Sequence, residues 1–598
     1  MTSTILGQAA GNMHATGQVD HQIREGSPMC YTPVQPGLIT SGRQRAVEGK
    51  LMAALASFAI RMVSGVAKVH VSSWVVDLGL GVALFLGALA IRLPHLMLVP
   101  LFTDETVEVL HSLKIMQGTF PLLTNADPYY GSLFNYLIAG VFSVFGPGAE
   151  HARLMVTTLG AATVSLTYFF AKAMEDRLVG LVTALLMLTS GALIVNGHVA
   201  WENDTTPFFA TATLLLFALA LKRGSGKLLM PAGFLYGLTL QTHPGQIVLA
   251  AGLVLYFLYA GLFSKASGSG RNLLSWLKSP WLYLTLAAAL LGYANVIAQN
   301  FLQPDSSWTA AQRHVYALVS HPTLESYLTD VPNFGLMALR MASSTFDNRA
   351  ETVDYLLMPA NLLYLVLLLA GIGYAIKRGK LLPVIVLFTT ALILPYFNKL
   401  YGYPGAARYV GYLFPLLYLL LAAPLVDAVR AVPSPRLPGF RPGDMPGLVL
   451  WLILILVVVS PALSVAAYYR SADRAGLTNN RVLAVHRAAQ QEFTSGTVSE
   501  VLIDSRMAQF PLGGGGNVQR VLDYLYTLEK TPHRSLTLSA DVVKNELSKD
   551  PTRPKVLVLP SEAAKTFAGK VQLVPLGPQP GEAAGTKYGA YLAQPSCP

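Results

Sequence analysis

LVLWLILILVVVSPALSVAAYY, residues 448–469, contains no charged side chain, and neither does LYLTLAAALLGYANVIA, residues 282–298. Helices of that length cross a hydrocarbon core of about 30 Å, which takes roughly 20 residues. A core helix of a water-soluble protein would show polar residues on its solvent side every turn or so. Outward from these two stretches, apolar runs recur near 75–95, 153–171, 178–197, 205–221, 228–242, 245–263, 355–375, 381–397 and 407–429. The whole chain is 53% hydrophobic and 13% charged, against about 45–50% and about 25% in soluble domains. Run length and balance together predict an all-α polytopic membrane protein of about 11 transmembrane helices.

The formal charge of +11 fits the excess of Lys and Arg that cytoplasmic loops carry, so no nucleic-acid partner is expected. Cys30 and Cys597 lie in opposite tails and make neither a disulfide framework nor a metal site. The polar N-terminal stretch has no cleavable signal pattern, and the first apolar helix is expected to direct insertion.

GSLFNYLIAGVFSVFG, residues 131–146, is too short for a comfortable crossing. Counting it as a span would invert everything downstream, so loop charges decide. If it does not cross, the inside loops hold Lys172, Arg177, Lys222, Arg223, Lys227, Lys265, Arg271, Lys278, Lys377, Arg378, Lys380, Arg430, Arg436 and Arg441, and the outside loops 198–204 and 243–244 hold no Lys or Arg. The positive-inside rule therefore makes 131–146 a re-entrant or juxtamembrane helix. The domains expected are a disordered cytoplasmic tail (1–72), a transmembrane domain (73–470) with outer loops 96–152 and 300–354, and an extracytoplasmic domain (471–598). In the last, EVLIDS, SLTLS and PKVLVLP read as strands and NVQRVLDYLYTLEK as an amphipathic helix, hence a small α/β fold. GGGG at 513–516 lacks a following Lys-Ser/Thr and reads as a connector rather than a phosphate loop. The expected location is the plasma membrane, multi-pass, with the N-terminus cytoplasmic.

Ionisable groups at membrane depth are costly and mark function, and here they gather at one side. Arg92 ends the first span, and TDET places Asp104 and Glu105 soon after. HVAWENDTTPF carries His198, Glu202 and Asp204; LQTHPGQ carries His243; NKLYGYPGAARYVGY carries Lys399, Arg408 and Tyr409. Asp104 also suits a helix N-cap, with Glu105, Glu108 and His111 as that helix's solvated face. Tyr129 and Tyr130 also suit an interfacial aromatic belt, and Arg408 could snorkel.

IRLPHLMLVPLFTDETVEVLHSLKIMQGTFPLL (91–123) resembles the opening of the GT-C glycosyltransferases, in particular their protein O-mannosyltransferase and aminoarabinose transferase branch. DPYYGSLFNYL is similar to the branch's juxtamembrane segment, with one Pro where the branch has a pair. EHARLMVTTLGAATVSLTYFFAKAM, with Arg153, resembles its second span; WENDTTPFFATATLLL its second acidic motif; ARYVGYLFPLLYLLLA its late Arg-Tyr span. The resemblance covers residues 75–430 and implies a GT-C fold. It implies an inverting transfer of a sugar from a polyprenyl-phosphate carrier to an extracytoplasmic acceptor: protein, lipid or glycan. A base must take the acceptor hydroxyl's proton, and resemblance and position select Asp104, with Glu105, Glu202 and Asp204 as the accompanying acids. Leaving-phosphate charge needs stabilisation, for which Arg408, Arg92 or Lys399 serve; Tyr409, His243, Tyr129, Tyr130 and Arg153 complete the expected substrate site. No cofactor is expected; hard oxygen ligands would suit Mg²⁺ or Mn²⁺, but the resembled branch uses none. Another lipid-linked-glycan polymerase or ligase shares this chemistry. A multi-span transporter or flippase would instead show midplane charges and an internal repeat.

Overall fold

The computed structural model describes residues 73–94, 96–97, 99, 103–264, 269–307, 309–310, 323–344, 359–397, 404–431, 451–461, 463, 480–510, 517–550, 553–567, 570–576 and 588–594. The principal helices are α1 (Ser73–Arg92), α2 (Thr103–Met116), α3 (Leu133–Phe145), α4 (Ala149–Met174), α5 (Arg177–Thr189), α6 (Thr206–Arg223), α7 (Gly226–Thr242), α8 (Ile247–Leu262), α9 (Pro280–Gly292), α10 (Ala294–Leu302), α11 (Leu324–Ser343), α12 (Pro359–Arg378), α13 (Leu382–Phe397) and α14 (Phe414–Ala431).

α1 shows how the bundle is built for lipid. Asp77, Gly81, Leu84, Ala88 and Arg92 are buried, a stripe at the i, i+4, i+7 spacing of one helix face. Leu78, Val82 and Leu86 are exposed on the opposite side. The polar ends face the protein and the leucines face outward, as an apolar solvent demands. Without a hydrophobic force between helices in lipid, close backbone approach does the packing. Gly233 and Gly237 on α7 meet α9 so closely that a Cβ would fall 2.3 Å from the Thr285 carbonyl and 2.2 Å from the Ala289 carbonyl.

Among the described residues, six helices are long and apolar enough to cross a membrane, or seven if α9 and α10, bent by 62°, form one span. This is fewer than the eleven expected. Two of the expected runs are broken: 178–197 is interrupted at Ser190, which caps the short helix Gly191–Asn196, and 282–298 bends at Tyr293. Leu133–Phe145, Arg177–Thr189, Leu382–Tyr396 and Trp451–Pro461 are apolar but short.

Two ends of the bundle differ in charge. At one, Asp77 pairs with Lys172 and with Arg177, Arg430 with Asp176, and Arg378 with Asp427; Lys222 and Lys380 donate to the carbonyls of Ala173 and Met174. The basic loops thus converge. α1 leaves this end and α4 returns to it, so α2 and α3 between them lie at the other. Residues 131–146 hold α3, whose 13 residues are short for a crossing.

Past the bundle, α15 (Asn480–Thr494), β1 (Val501–Asp504), α16 (Val518–Leu528), β2 (His533–Leu536), α17 (Ala540–Lys549), β3 (Lys555–Pro560), β4 (Gln572–Leu576) and β5 (Tyr588–Gln594) form a small α/β domain. Its sheet order is β2-β1-β3-β5-β4, with β1 parallel to β2 and β3, and β5 antiparallel to β3 and β4. β3, buried along its whole length, carries the near-continuous apolar run of a strand covered on both faces. β1, β3 and α16 fall on EVLIDS, PKVLVLP and NVQRVLDYLYTLEK, while β2 takes in only the first two residues of SLTLS; the GGGG at 513–516 lies outside the described residues. Val521, Tyr524 and Leu525 of α16 share one apolar core with Val109 of α2, Phe134 and Ile138 of α3, and Val156 of α4. The domain therefore sits at the end of the bundle opposite the basic loops.

Candidate active site

α2 carries Asp104 and Glu105 in its first turn, where carboxylates complement the helix dipole. Asp104 is exposed. Glu105 and Glu108 are not a solvated face: they are 0% and 5% exposed. Glu105 accepts a fork from Arg153 of α4, Nε at 2.7 Å and Nη2 at 2.8 Å. Arg153 Nη1 also donates to the carbonyls of Leu96 and Val99 at 3.1 and 2.8 Å. Glu105 and Arg153 thus clamp the segment that leads into Asp104, away from the exposed surface. Arg92, expected beside a phosphate, instead donates to the Met187 and Leu188 carbonyls at 3.2 and 3.3 Å, tying the end of α1 to the end of α5. His198 hydrogen-bonds the Arg92 carbonyl.

Glu202 comes from a short 3₁₀ turn, Glu202–Thr205, at the start of α6. Its backbone N–H donates to Glu108 Oε2 at 3.1 Å, and Asn125 Nδ2 donates to Glu202 Oε2 at 3.1 Å. Asn125 Oδ1 in turn accepts from Asn135 Nδ2 at 3.0 Å, which also reaches the Glu108 carbonyl at 3.0 Å. Burial, and then the neighbouring Glu202 carboxylate, push the Glu108 carboxyl well above the ordinary range. Asp204 is half-buried within electrostatic reach of Arg408.

The aromatic residues form a row. Ring centroids of Tyr129 and Tyr130 are 4.4 Å apart, Tyr130 and His243 5.6 Å, His243 and Tyr409 4.8 Å. The row ends on Arg408, whose Nη2 donates to Tyr409 Oη at 2.7 Å and whose guanidinium lies 3.8 Å over the Trp201 ring, a cation–π geometry. His243 Nδ1 accepts from the Gly245 N–H at 2.9 Å, and burial followed by Arg408 lowers its pKa to about 3. It is a neutral ring in this row.

Asp104, Glu202, Asp204, His243, Arg408, Tyr409, Tyr129 and Tyr130 thus come to one end of the bundle; Lys399 lies outside the described residues. Glu108, Asn125, Asn135 and Trp201 are members that sequence reasoning missed. Glu108 follows Asp104 at the i+4 spacing of one helix side, which was a usable signal. Nothing local marks the two asparagines. Among the described residues no group of three or more His, Cys, Asp or Glu is placed to hold a metal ion.

A groove of about 260 Å³ opens beside this site, between the segment before α3 and helices α7, α9 and α10. Its walls are mostly apolar, with Leu123, Leu133, Phe234, Leu238 and Leu291, and its polar floor is Ser132, Gln241 and Asn295. Asn295 Nδ2 donates to Gln241 Oε1 at 2.8 Å and Ser132 Oγ at 3.0 Å, so the floor's polar groups are mutually satisfied. Leu291 is 68% exposed at the rim.

Residues 131–298 match the family described as dolichyl-phosphate-mannose-protein mannosyltransferase. Over those residues the chain is similar to that family. No curated protein matches the sequence. Among solved structures, ArnT from Cupriavidus metallidurans bound to undecaprenyl phosphate is similar with a TM-score of 0.49 and 14% identity, over 87% of this chain and 98% of that one. The archaeal oligosaccharyltransferase AglB from Archaeoglobus fulgidus, in complex with an inhibitory peptide and a dolichol-phosphate, gives 0.44 and 12%, over 83% and 70%. The arabinofuranosyltransferase AftD from Mycobacteria gives 0.39 and 12%, over 87% and 41%.

Proposed function

We propose that this chain is a GT-C glycosyltransferase that moves a sugar from a polyprenyl-phosphate donor to an acceptor hydroxyl on the non-cytoplasmic side of the membrane. The observation that carries the reading is the convergence of Asp104, Glu202, Asp204 and Arg408 at one end of the bundle, opposite the basic loops. The positive-inside rule makes the basic end cytoplasmic, so the site and the C-terminal domain face outward.

The chemistry follows from the residues. The acceptor oxygen attacks the anomeric carbon from the face opposite the phosphate; its proton passes to Asp104, and the bond from that carbon to the phosphate oxygen breaks, inverting the centre. Asp104 is exposed and so reachable by a bulky acceptor. Arg408 stabilises the charge that grows on the departing phosphate, because guanidinium pairs two donors with phosphate oxygens. The row Tyr130–His243–Tyr409 supplies flat apolar surface for the sugar ring. The groove under Leu291 and Phe234 takes the first isoprene units of the donor's tail, since its rim is apolar and open while its floor has no unpaired polar group to repel hydrocarbon. The family description, which names a dolichyl-phosphate sugar donor, supports this donor class.

The test is transfer from a polyprenyl-phosphate-linked sugar by the full chain in detergent or liposomes. Asp104→Asn is expected to lower kcat by roughly 10²–10⁴, the usual weight of a general base, with little change in donor KM. A folded Asp104→Asn enzyme with full activity refutes the assignment.

A further inference from the structure

Glu108 lies one turn beyond Asp104 on α2 and faces inward onto Glu202, and the two are 5% and 1% exposed. Beyond the Glu202 N–H bond to Glu108 Oε2, the carboxyl groups themselves are within hydrogen-bonding reach of one another. Glu202 Oε2 is held by Asn125, but Glu202 Oε1 is buried and, among the described residues, meets no donor when both acids are ionised. Two carboxylates have no hydrogen to place between them. A buried oxygen without a donor costs on the order of 1–3 kcal/mol, more for a charged group, and one extra proton removes that cost.

Among the described residues the surroundings are mostly acidic. The groups facing the pair are Asp104 on the same helix, Asp127, Tyr129 and Tyr130 from the following loop, and Asp204 beside Glu202. Arg408 lies over Trp201, gives Nη2 to Tyr409 and acts on Asp204.

We propose that Glu108 and Glu202 hold one proton between them, and that this proton allows a phosphate-bearing donor to enter a site crowded with acids. Glu108 is then a positioning residue, acting through Glu202. The direction of the Glu108 titration given above agrees: the acid form persists at neutral pH. When the shared proton leaves at alkaline pH, the pair carries two negative charges and repels the donor phosphate. Donor KM is therefore expected to rise with pH while kcat changes little. The proposal takes the polyprenyl-phosphate donor from the reading above, but the pair's proton itself does not depend on that reading.

Two measurements on the full chain separate them. Infrared spectra of the purified protein at neutral pH are expected to show an acid carbonyl band that is lost in Glu108→Gln and also in Glu202→Gln; its presence unchanged in both overturns the shared proton. In transfer assays the wild-type donor KM is expected to rise about tenfold per pH unit past the pair's titration point. Glu108→Gln, which keeps a hydrogen-bond donor for Glu202 without a titrating proton, is expected to hold KM flat there. A wild-type-like alkaline rise in Glu108→Gln, or its complete loss of transfer at every pH, overturns the role in donor entry. If the wild type transfers nothing from a polyprenyl-phosphate sugar, the donor reading has failed and the infrared result still decides the pair. If Glu108→Gln does not fold, the Glu202→Gln spectrum decides it alone.

Discussion

Replacing Glu105 with leucine removes the acid from a clamp whose two side chains are 0% exposed. The wild-type Arg153 donates to Glu105 at 2.7 and 2.8 Å and to two loop carbonyls at 3.1 and 2.8 Å. After the change those carbonyls remain, but the guanidinium charge is buried without its counter-ion. Breaking a buried pair by removing one partner costs about 3–5 kcal/mol, a factor of roughly 10²–10³·⁵ in the folded-to-unfolded ratio. Arg153→Met should cost as much, because it strands Glu105 and releases the carbonyls of Leu96 and Val99. The double variant Glu105→Leu/Arg153→Met leaves no orphan charge and is expected to be more stable than either single, since apolar replacement of a whole buried pair is often neutral. The coupling energy should therefore be at least about 3 kcal/mol, large against the 0.5–3 kcal/mol of ordinary contacting pairs. Equilibrium unfolding of the full chain in mixed micelles, titrated with a denaturing detergent, measures all four corners of the cycle. Singles that cost under about 1 kcal/mol, or a double that equals their sum, would show that the clamp is not a coupled buried pair. Activity adds a second reading: losing the tether on the segment before α2 should move Asp104 and lower kcat in both singles.

Three further outcomes follow from the geometry. Arg408→Ala is expected to lower kcat by roughly 10²–10³, the cost of losing one charge-stabilising donor, and Arg408→Lys to recover only part, because an ammonium lacks the paired donors of the fork; steady-state transfer kinetics check both. His243 has a folded-state pKa of about 3 against an ordinary 6.5. Between those values the unfolded chain binds a proton that the folded chain does not, so stability should fall as pH drops from 6.5 towards 3. Thermal melts across that range should show a shallower loss in His243→Asn, whose side-chain oxygen can still cap Gly245. Gly237→Ala places a methyl 2.2 Å from the Ala289 carbonyl; wedging α7 from α9 should destabilise by ~1–3 kcal/mol, read in the same detergent titration, and distort the groove enough to raise donor KM.

Local pattern carried a large part of this protein. Run length alone implied a membrane bundle, since crossing a bilayer sets a minimum number of consecutive apolar residues. The sign of the loop charges sorted its two ends and set 131–146 apart as a re-entrant or juxtamembrane segment. The acids of TDET and WEND, the His of LQTH and the Arg-Tyr of ARYV were legible because they interrupt apolar or interfacial stretches, where a charge is costly unless used. The number of uninterrupted crossings was less legible: hydropathy does not register the break at Ser190 or the bend at Tyr293, which leave the composition apolar.

Only the tertiary structure assigned roles within those motifs. Asp104 and Glu105 are chain neighbours of the same chemistry, yet one is exposed and the other is locked to Arg153, 48 residues away. Arg92 looks like a phosphate ligand in sequence and is consumed by backbone carbonyls 95 and 96 residues on. Glu108 reads as a solvated helix position until Glu202, 94 residues later, is found against it. Composition and periodicity report which residue types a helix carries and how often. Whether an acid meets an arginine, another acid or solvent depends on which helix packs across from it, and that partner is chosen by the close approach of whole surfaces rather than by any neighbouring residue.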